Sequence, residues 1–240
     1  MTSTPPGIIL PPPPDPHTPG SDLIVGTPGN DVLKALRPQD VGGNDTIIAK
    51  SGDDLILAGS KGNATVYADT ANVNQGNDTV FSGSGNDRVY AGGGNDYVST
   101  GAGNDTLNGG KGNDQLLGGA GDDLYVFAKG DGHDTIDDRS GSDVVKLEAA
   151  IDFTKVALFR KGNSLDVQYG AGDTIHIRNF FTTGTIEKIQ LGSHFLSAAD
   201  VNNIVNNIAT YATANGIALH SVSDVANNNN LLSLVTAAHW

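Results

Sequence analysis

Between Ser82 and Val126 the chain repeats one polar and apolar pattern every nine residues, as SGSGNDRVY, AGGGNDYVS, TGAGNDTLN, GGKGNDQLL and GGAGDDLYV. An apolar residue falls at Val89, Val98, Leu107, Leu116 and Tyr125, each two places after an acid at Asp87, Asp96, Asp105, Asp114 and Asp123. This period fits neither helical spacing nor the alternation of a free-standing hairpin. The glycine-rich first six residues of each unit predict a tight turn, and the last three a short strand with one inward side chain. One such side chain cannot be buried alone, so the units must stack, and two units per coil give two parallel sheets joined by turns. Val80, Val98 and Leu116 then line one inner ladder, and Val89, Leu107 and Tyr125 the other. The acids form columns in the same way, Asp78, Asp96 and Asp114 on one edge and Asp87, Asp105 and Asp123 on the opposite edge.

These units resemble the RTX (haemolysin-type) calcium-binding nonapeptide GGxGxDxUx. The resemblance implies an all-β fold, a parallel β-roll or β-solenoid, with a C-terminal β-rich cap and one or two terminal helices. The chemistry of the columns agrees, because like charges stacked in register repel unless a cation lies between them. Carboxylates and turn carbonyls are hard oxygen donors of the kind calcium takes in sets of six to eight. Zinc or copper would call for sulfur or imidazole. We therefore expect several calcium ions, with Asp31, Asp45, Asp54, Asp78, Asp87, Asp96, Asp105, Asp114, Asp123 and Asp134 as metal ligands.

The flanks carry weaker patterns. Residues Met1 to Gly20 hold eight of the ten prolines and read as an extended polyproline tail. The first repeat-like unit is GTPGNDVL, Gly26 to Leu33. Between it and Tyr67 the register drifts, with insertions at Lys34 to Asp40 and Ala68 to Val73, while Ile47, Ile56 and Val66 keep the apolar position and Ala64 replaces an acid. Ala64 offers calcium no side-chain oxygen. Asn-Asp-Thr triplets at Asn44, Asn77 and Asn104 match a glycosylation sequon, but the repeat explains them better.

Phe127 to Asp138 resembles the closing segment that follows RTX repeats, in which Asp131, Asp134, Asp137 and Asp138 are candidates for a last ion. From Ser142 to Gly192, alternating apolar residues bounded by KGN, GAG and TTG predict antiparallel strands. Ser197 and Asp200 then form a capping-box-like start to a helix whose face carries Val201, Ile204, Val205, Ile208 and Tyr211. A second apolar cluster runs from Leu231 to Trp240. The expected domains are thus a proline-rich tail at 1–22, the roll at 23–138, the cap at 139–196 and a helical segment at 197–240. The last resembles the uncleaved signal of type I secretion.

Composition narrows the function. The 240 residues carry 27 acidic against 14 basic side chains, a formal net charge of −13, and 32 glycines. Such a surface repels nucleic-acid phosphates and attracts divalent cations. There is no cysteine, hence no disulfide framework, and no apolar run long enough for a transmembrane segment. Neither an HExxH helix nor a GxSxG elbow occurs, and the six histidines lack ligand spacing. The expectation is a secreted, extracellular or cell-surface protein that folds on calcium, a non-catalytic surface, matrix or self-assembling component. The alternatives are a secretion or carrier module of a larger RTX enzyme or toxin, and a module binding an acidic polysaccharide. Arg88, Tyr90 and Tyr97 offer the latter a thin basic and aromatic stripe.

Overall fold

The computed structural model describes residues 8–9, 21–35, 43–59, 61–70, 75–182 and 186–236. The rest of the proline-rich tail, most of the Lys34 to Asp40 insertion, residues 71–74 and the last four residues of the apolar C-terminal cluster lie outside them. The strands in chain order are β1 (Ile8–Ile9), β2 (Leu23–Val25), β3 (Val32–Lys34), β4 (Thr46–Lys50), β5 (Leu55–Leu57), β6 (Thr65–Asp69), β7 (Thr79–Phe81), β8 (Arg88–Gly93), β9 (Tyr97–Ala102), β10 (Thr106–Lys111), β11 (Gln115–Ala120) and β12 (Leu124–Phe127). They continue as β13 (His133–Ile136), β14 (Asp143–Leu147), β15 (Ala157–Lys161), β16 (Ser164–Gln168), β17 (Thr174–Ile177), β18 (Ile186–Leu191) and β19 (His194–Ser197), followed by helices α1 (Ala198–Ala214), α2 (Val222–Ala226) and α3 (Asn229–Thr236).

Strands β1 to β14 alternate between two sheets. One runs β1-β3-β5-β7-β9-β11-β13-β17-β16-β15 and the other β19-β18-β14-β12-β10-β8-β6-β4-β2. The repeat strands pair in parallel, each with a large apolar residue turned inward and the longer ones with a second, small residue such as Ala49, Ala68 or Ala91, which produces a β-roll. Leu33, Ile56, Val80, Val98, Leu116, Ile136 and Ile177 stack in one inner ladder. Ile24, Ile47, Val66, Val89, Leu107, Tyr125, Val145 and Ile189 stack in the other. All of these side chains are buried, and each contributes about 1.5–3 kcal/mol against its exposed state. The drifting N-terminal units keep the same ladders. The inward register is the same on either side of the sequence insertions.

The C-terminal strands differ from the purely antiparallel expectation. β15, β16 and β17 do form an antiparallel meander, and β18 and β19 an antiparallel pair. Yet β17 also pairs in parallel with β13, and β14 bridges β12 and β18 in parallel. Alternating burial identifies a strand but not its partner. The open edges of β12 and β13 offered unpaired backbone groups, and these strands satisfy them.

The Ser197 box forms: the Asp200 N–H donates to Ser197 Oγ at 3.2 Å and the Ser197 N–H to Asp200 Oδ2 at 2.9 Å. Val201, Ile204, Val205 and Ile208 are buried and Tyr211 is partly buried. α1 packs on β15, β18 and β19, and α2 on β15 and β16. No helix among the described residues is long and apolar enough to cross a membrane.

Candidate metal centres on the two edges of the roll

The turns require glycine for two reasons at once. Gly112 has φ +134°, and a Cβ there would lie 1.6 Å from the Gly94 carbonyl oxygen of the preceding coil. Gly94, at φ +126°, stands in the same relation to Gly76, at 1.7 Å. Backbone touches backbone across the coils, and only a residue without a side chain permits both the approach and the dihedral.

This close stacking sets two ladders of side-chain oxygens on each edge. On the first edge the backbone N–H of Asp31 donates to Oδ1 of Asp54 at 2.7 Å, and the same bond recurs from Asp54 to Asp78, Asp78 to Asp96, Asp96 to Asp114 and Asp114 to Asp134 at 2.7–3.0 Å. On the second edge it links Asp22 to Asp45 at 2.9 Å, Asp87 to Asp105, Asp105 to Asp123 at 2.8 Å, and Asp123 to Asp143 at 2.7 Å. Ala64 interrupts this column. Its N–H still donates to Asp87 at 2.7 Å, but it returns no carboxylate.

Outside the aspartates runs an exposed ladder of mostly asparagine, in which Asn95 donates to Asn77 at 2.6 Å and Asn113 to Asn95 at 2.8 Å. The sequon asparagines belong to it: Asn44, Asn77 and Asn104 each accept a backbone N–H from the following coil. Their place in the repeat accounts for them.

The aspartates are held by one oxygen and left with the other. Oδ2 has no hydrogen-bond partner in Asp54, Asp78, Asp87, Asp96, Asp105, Asp114, Asp123, Asp134 and Asp143, and all nine are buried. Asp31 differs, because Thr27 donates to both of its carboxylate oxygens. A buried carboxylate oxygen without a donor is costly, and coils stacked at the spacing of paired strands, about 4.8 Å, add repulsion between neighbours. Burial, reinforced by neighbouring carboxylates, pushes Asp78 and Asp123 from 3.8 up to about 8. The same causes push Asp54, Asp96, Asp114, Asp134 and Asp143 up to about 7. Asp87 and Asp105 also rise, chiefly through burial. The columns lack a counter-charge, and their donors are all oxygen. A calcium ion fits such a set, held by successive aspartates of one edge together with carbonyls of the glycine turns.

The acids expected to hold a last ion are divided by the structure. Asp131 and Asp134 lie on the first edge, near Asp173 of the turn before β17. Asp138 lies on the second edge, grouped with Asp123 and Asp143. Asp137 faces Arg178 at 3.1 Å instead, and His133 is exposed.

Sequence reasoning passed over Asp143 and Glu187. Asp143 continues the second column, and its own N–H donates to Glu187 Oε2 at 2.6 Å. The available signal was Gly141 in Ser-Gly-Ser-Asp, a shortened repeat turn with φ +150°.

The family profile of the RTX calcium-binding nonapeptide repeat (4 copies) matches residues 18–36, 41–60, 63–98, 90–125 and 130–153, more than half of the chain. The chain belongs to the RTX repeat family. Its roll is therefore a calcium-binding repeat structure. No curated protein matches this RTX chain. Among solved structures, the extracellular lipase LipA from Serratia marcescens is similar with 15% identity and a TM-score of 0.28, over 78% of this chain and 40% of the lipase chain. So loose a likeness, spanning less than half of that enzyme, carries no argument about this RTX chain.

The raised carboxyl values fix the direction of a pH effect. In the unfolded chain these aspartates titrate near 3.8, and in the calcium-free roll several do so at about 7 to 8. The calcium-free roll thus binds more protons than the unfolded chain between those limits, so its stability is greatest in acid and is lost as pH rises through about 7 to 8. A calcium ion bound at these oxygens would compete with their protons. The calcium dissociation constant should rise by about tenfold per pH unit for each proton displaced as pH falls below about 7. Calorimetric titration in buffers of different ionisation enthalpy should show proton release on binding at neutral pH.

Proposed function

We propose that this RTX chain is a secreted, non-catalytic calcium-binding protein that stays unfolded in the low calcium of the cell, is exported through a type I apparatus and folds outside. Its role is that of a surface, matrix or self-assembling structural component. The observation that carries this reading is the pair of buried aspartate columns, with nine unpartnered Oδ2 atoms on two edges of one roll. Extracellular calcium modules bind at about 10⁻⁴ to 10⁻³ M, far above cytosolic supply. Without the ion, glycine-rich acidic coils cannot offset chain entropy and self-repulsion. Assembly is supported by the N-terminal end of the roll. There β2 ends its sheet among the described residues, and Leu23 and Val25 are exposed at 61% and 41%.

The polysaccharide reading loses its stripe. Arg88 and Tyr90 lie in β8 of one sheet, where Tyr90 stacks on Tyr67 at 5.2 Å, whereas Tyr97 lies in β9 of the other sheet beside Phe81. A calcium titration followed by circular dichroism and light scattering tests the proposal. A disordered monomer should become β-rich assemblies, and a folded monomer at all protein concentrations would remove the self-assembly component. Asp96→Ala and Asp105→Ala, one on each edge, should each raise the calcium midpoint severalfold. Unchanged midpoints in both would refute the stacked-site arrangement.

A further inference from the structure

The turn between β6 and β7 departs from the repeat. It runs from Asp69 to Asp78, whereas the corresponding turn of the next coil runs only from Gly92 to Asp96. Tyr67 pairs with Tyr90, which sets Asp69 beside Gly92, and a Cβ at Gly92 would lie 2.3 Å from the Asp69 Cβ. Gly92 bends the regular turn with φ +114°, but among the described residues only Lys50 and Asn179 take positive φ without being glycine. Asp69 lacks that bend, and its side chain lies against the glycine of the following coil. We propose that Asp69 supplies a third negative charge to the calcium site between Asp78 and Asp96 and thereby tightens it. The proposal rests on the calcium reading of the roll and adds to it a residue outside the acidic position of the repeat.

Asp69 is partly buried and, like the column aspartates, is held in a way that leaves one oxygen over. Its Oδ2 accepts the Gly93 N–H of the following coil at 3.3 Å, and the Gly76 N–H of its own turn also donates to the carboxylate. Its Oδ1 is buried and has no hydrogen-bond partner among the described residues. The Oδ2 atoms of Asp78 and Asp96 are in the same condition, on side chains exposed by only 1% and 2%. Gly76 belongs to the turn that carries Asp78, and Gly93 to the turn that carries Asp96. The three unmet oxygens therefore belong to one pair of stacked turns.

No cation of the protein offsets this charge. Asp69 bears on Asp54, Asp78 and Asp96 through repulsion. Lys50, its register partner in β4, forms no ion pair with it, nor does any other basic side chain among the described residues. The bond to Gly93 turns Asp69 toward Asp96, away from Asp54. The next step along this edge, between Asp96 and Asp114, has Gly92 and Gly110 at the same register and gains no such charge. Ligand charge is a variable that sets calcium affinity from module to module. The irregular turn thus adds a carboxylate where the repeat offers only backbone.

The test titrates the full chain with calcium against a chromophoric chelator, which reads the stepwise dissociation constants, and follows folding by circular dichroism. Asp69→Asn keeps an acceptor for the Gly93 and Gly76 N–H groups but removes the charge, and should weaken one equivalent by about tenfold or more. Asp69→Glu keeps the charge and should stay within about threefold of the wild type. Wild-type constants in D69N would overturn the proposal, because the charge would then be idle. Equal weakening in D69N and D69E would also overturn it, because the shape of the turn would then be the cause. Either result leaves the repeat sites standing. Should D69N stay unfolded at saturating calcium, D69E decides alone: wild-type constants support the proposal, and weakened constants or failure to fold overturn it. If the wild-type chain binds no calcium, the calcium reading itself fails, a result distinct from all of these.

Discussion

Chelating calcium from the folded chain should abolish its β signature altogether. Each ion that binds only the folded state stabilises it by about 2.7 kcal/mol when free calcium is a hundredfold above the dissociation constant. A domain of this kind has only about 5–15 kcal/mol in total. With nine carboxylate oxygens unpartnered along two edges, the loss of even a few ions exceeds that margin. Far-UV circular dichroism in excess chelator should report a disordered chain, and size-exclusion chromatography an expanded one. Restoring calcium should restore both. A chelated chain that keeps its β signature near pH 8 would show that the inner ladders suffice without the ion.

Gly112→Val should be the most damaging single substitution in the repeat, more so than the loss of one aspartate. The site lies at φ +134°, where a β-branched residue is strained by about 1–3 kcal/mol. Its Cβ would also meet the Gly94 carbonyl at 1.6 Å, backbone against side chain with no rotamer to relieve it. The collision must push neighbouring coils apart. That disturbs the aspartate contacts on both sides of the gap, from Asp96 to Asp114 and from Asp114 to Asp134. The calcium midpoint should rise by more than in Asp96→Ala, and thermal scans at saturating calcium should show a Tm lower by several degrees. Gly130→Val is the control, because a Cβ there meets nothing within 4 Å although φ is likewise positive, at +95°. A Gly112 variant no worse than the Gly130 variant would show that contact between the coils does not set stability.

Much of this was legible in the residues because the repeat fixes both period and facing. Val98 and Leu107 fall on opposite inner ladders by arithmetic alone, and the aspartates beside them on opposite edges. The reading faltered where the chain leaves the period. Asp143 follows Asp123 by 20 residues instead of 18, so spacing alone passes over it, although the glycine turn before it is the same device. Asp138 occupies no repeat position, so the closing segment marked it as a candidate ligand while only the fold shows that the Tyr125 hydroxyl reaches it. The strands after β13 were recognisable as strands, but their parallel partners were not. Pairing there depends on which edges the roll leaves open, a property of the assembled coils and not of the segment.

The side-chain hydrogen bonds between coils run in two opposite directions. Each aspartate amide donates to the carboxylate of the coil that follows it in sequence, from Asp31 to Asp54 through Asp114 to Asp134. On the outer ladder the amide of the later coil donates instead to the asparagine of the earlier one, as Asn95 does to Asn77. The stack has a head and a tail. Shortening it from the N-terminal side leaves outer-ladder amides without acceptors, whereas cutting from the C-terminal side leaves aspartate amides without them, so the two ends of the roll expose different unmet donors.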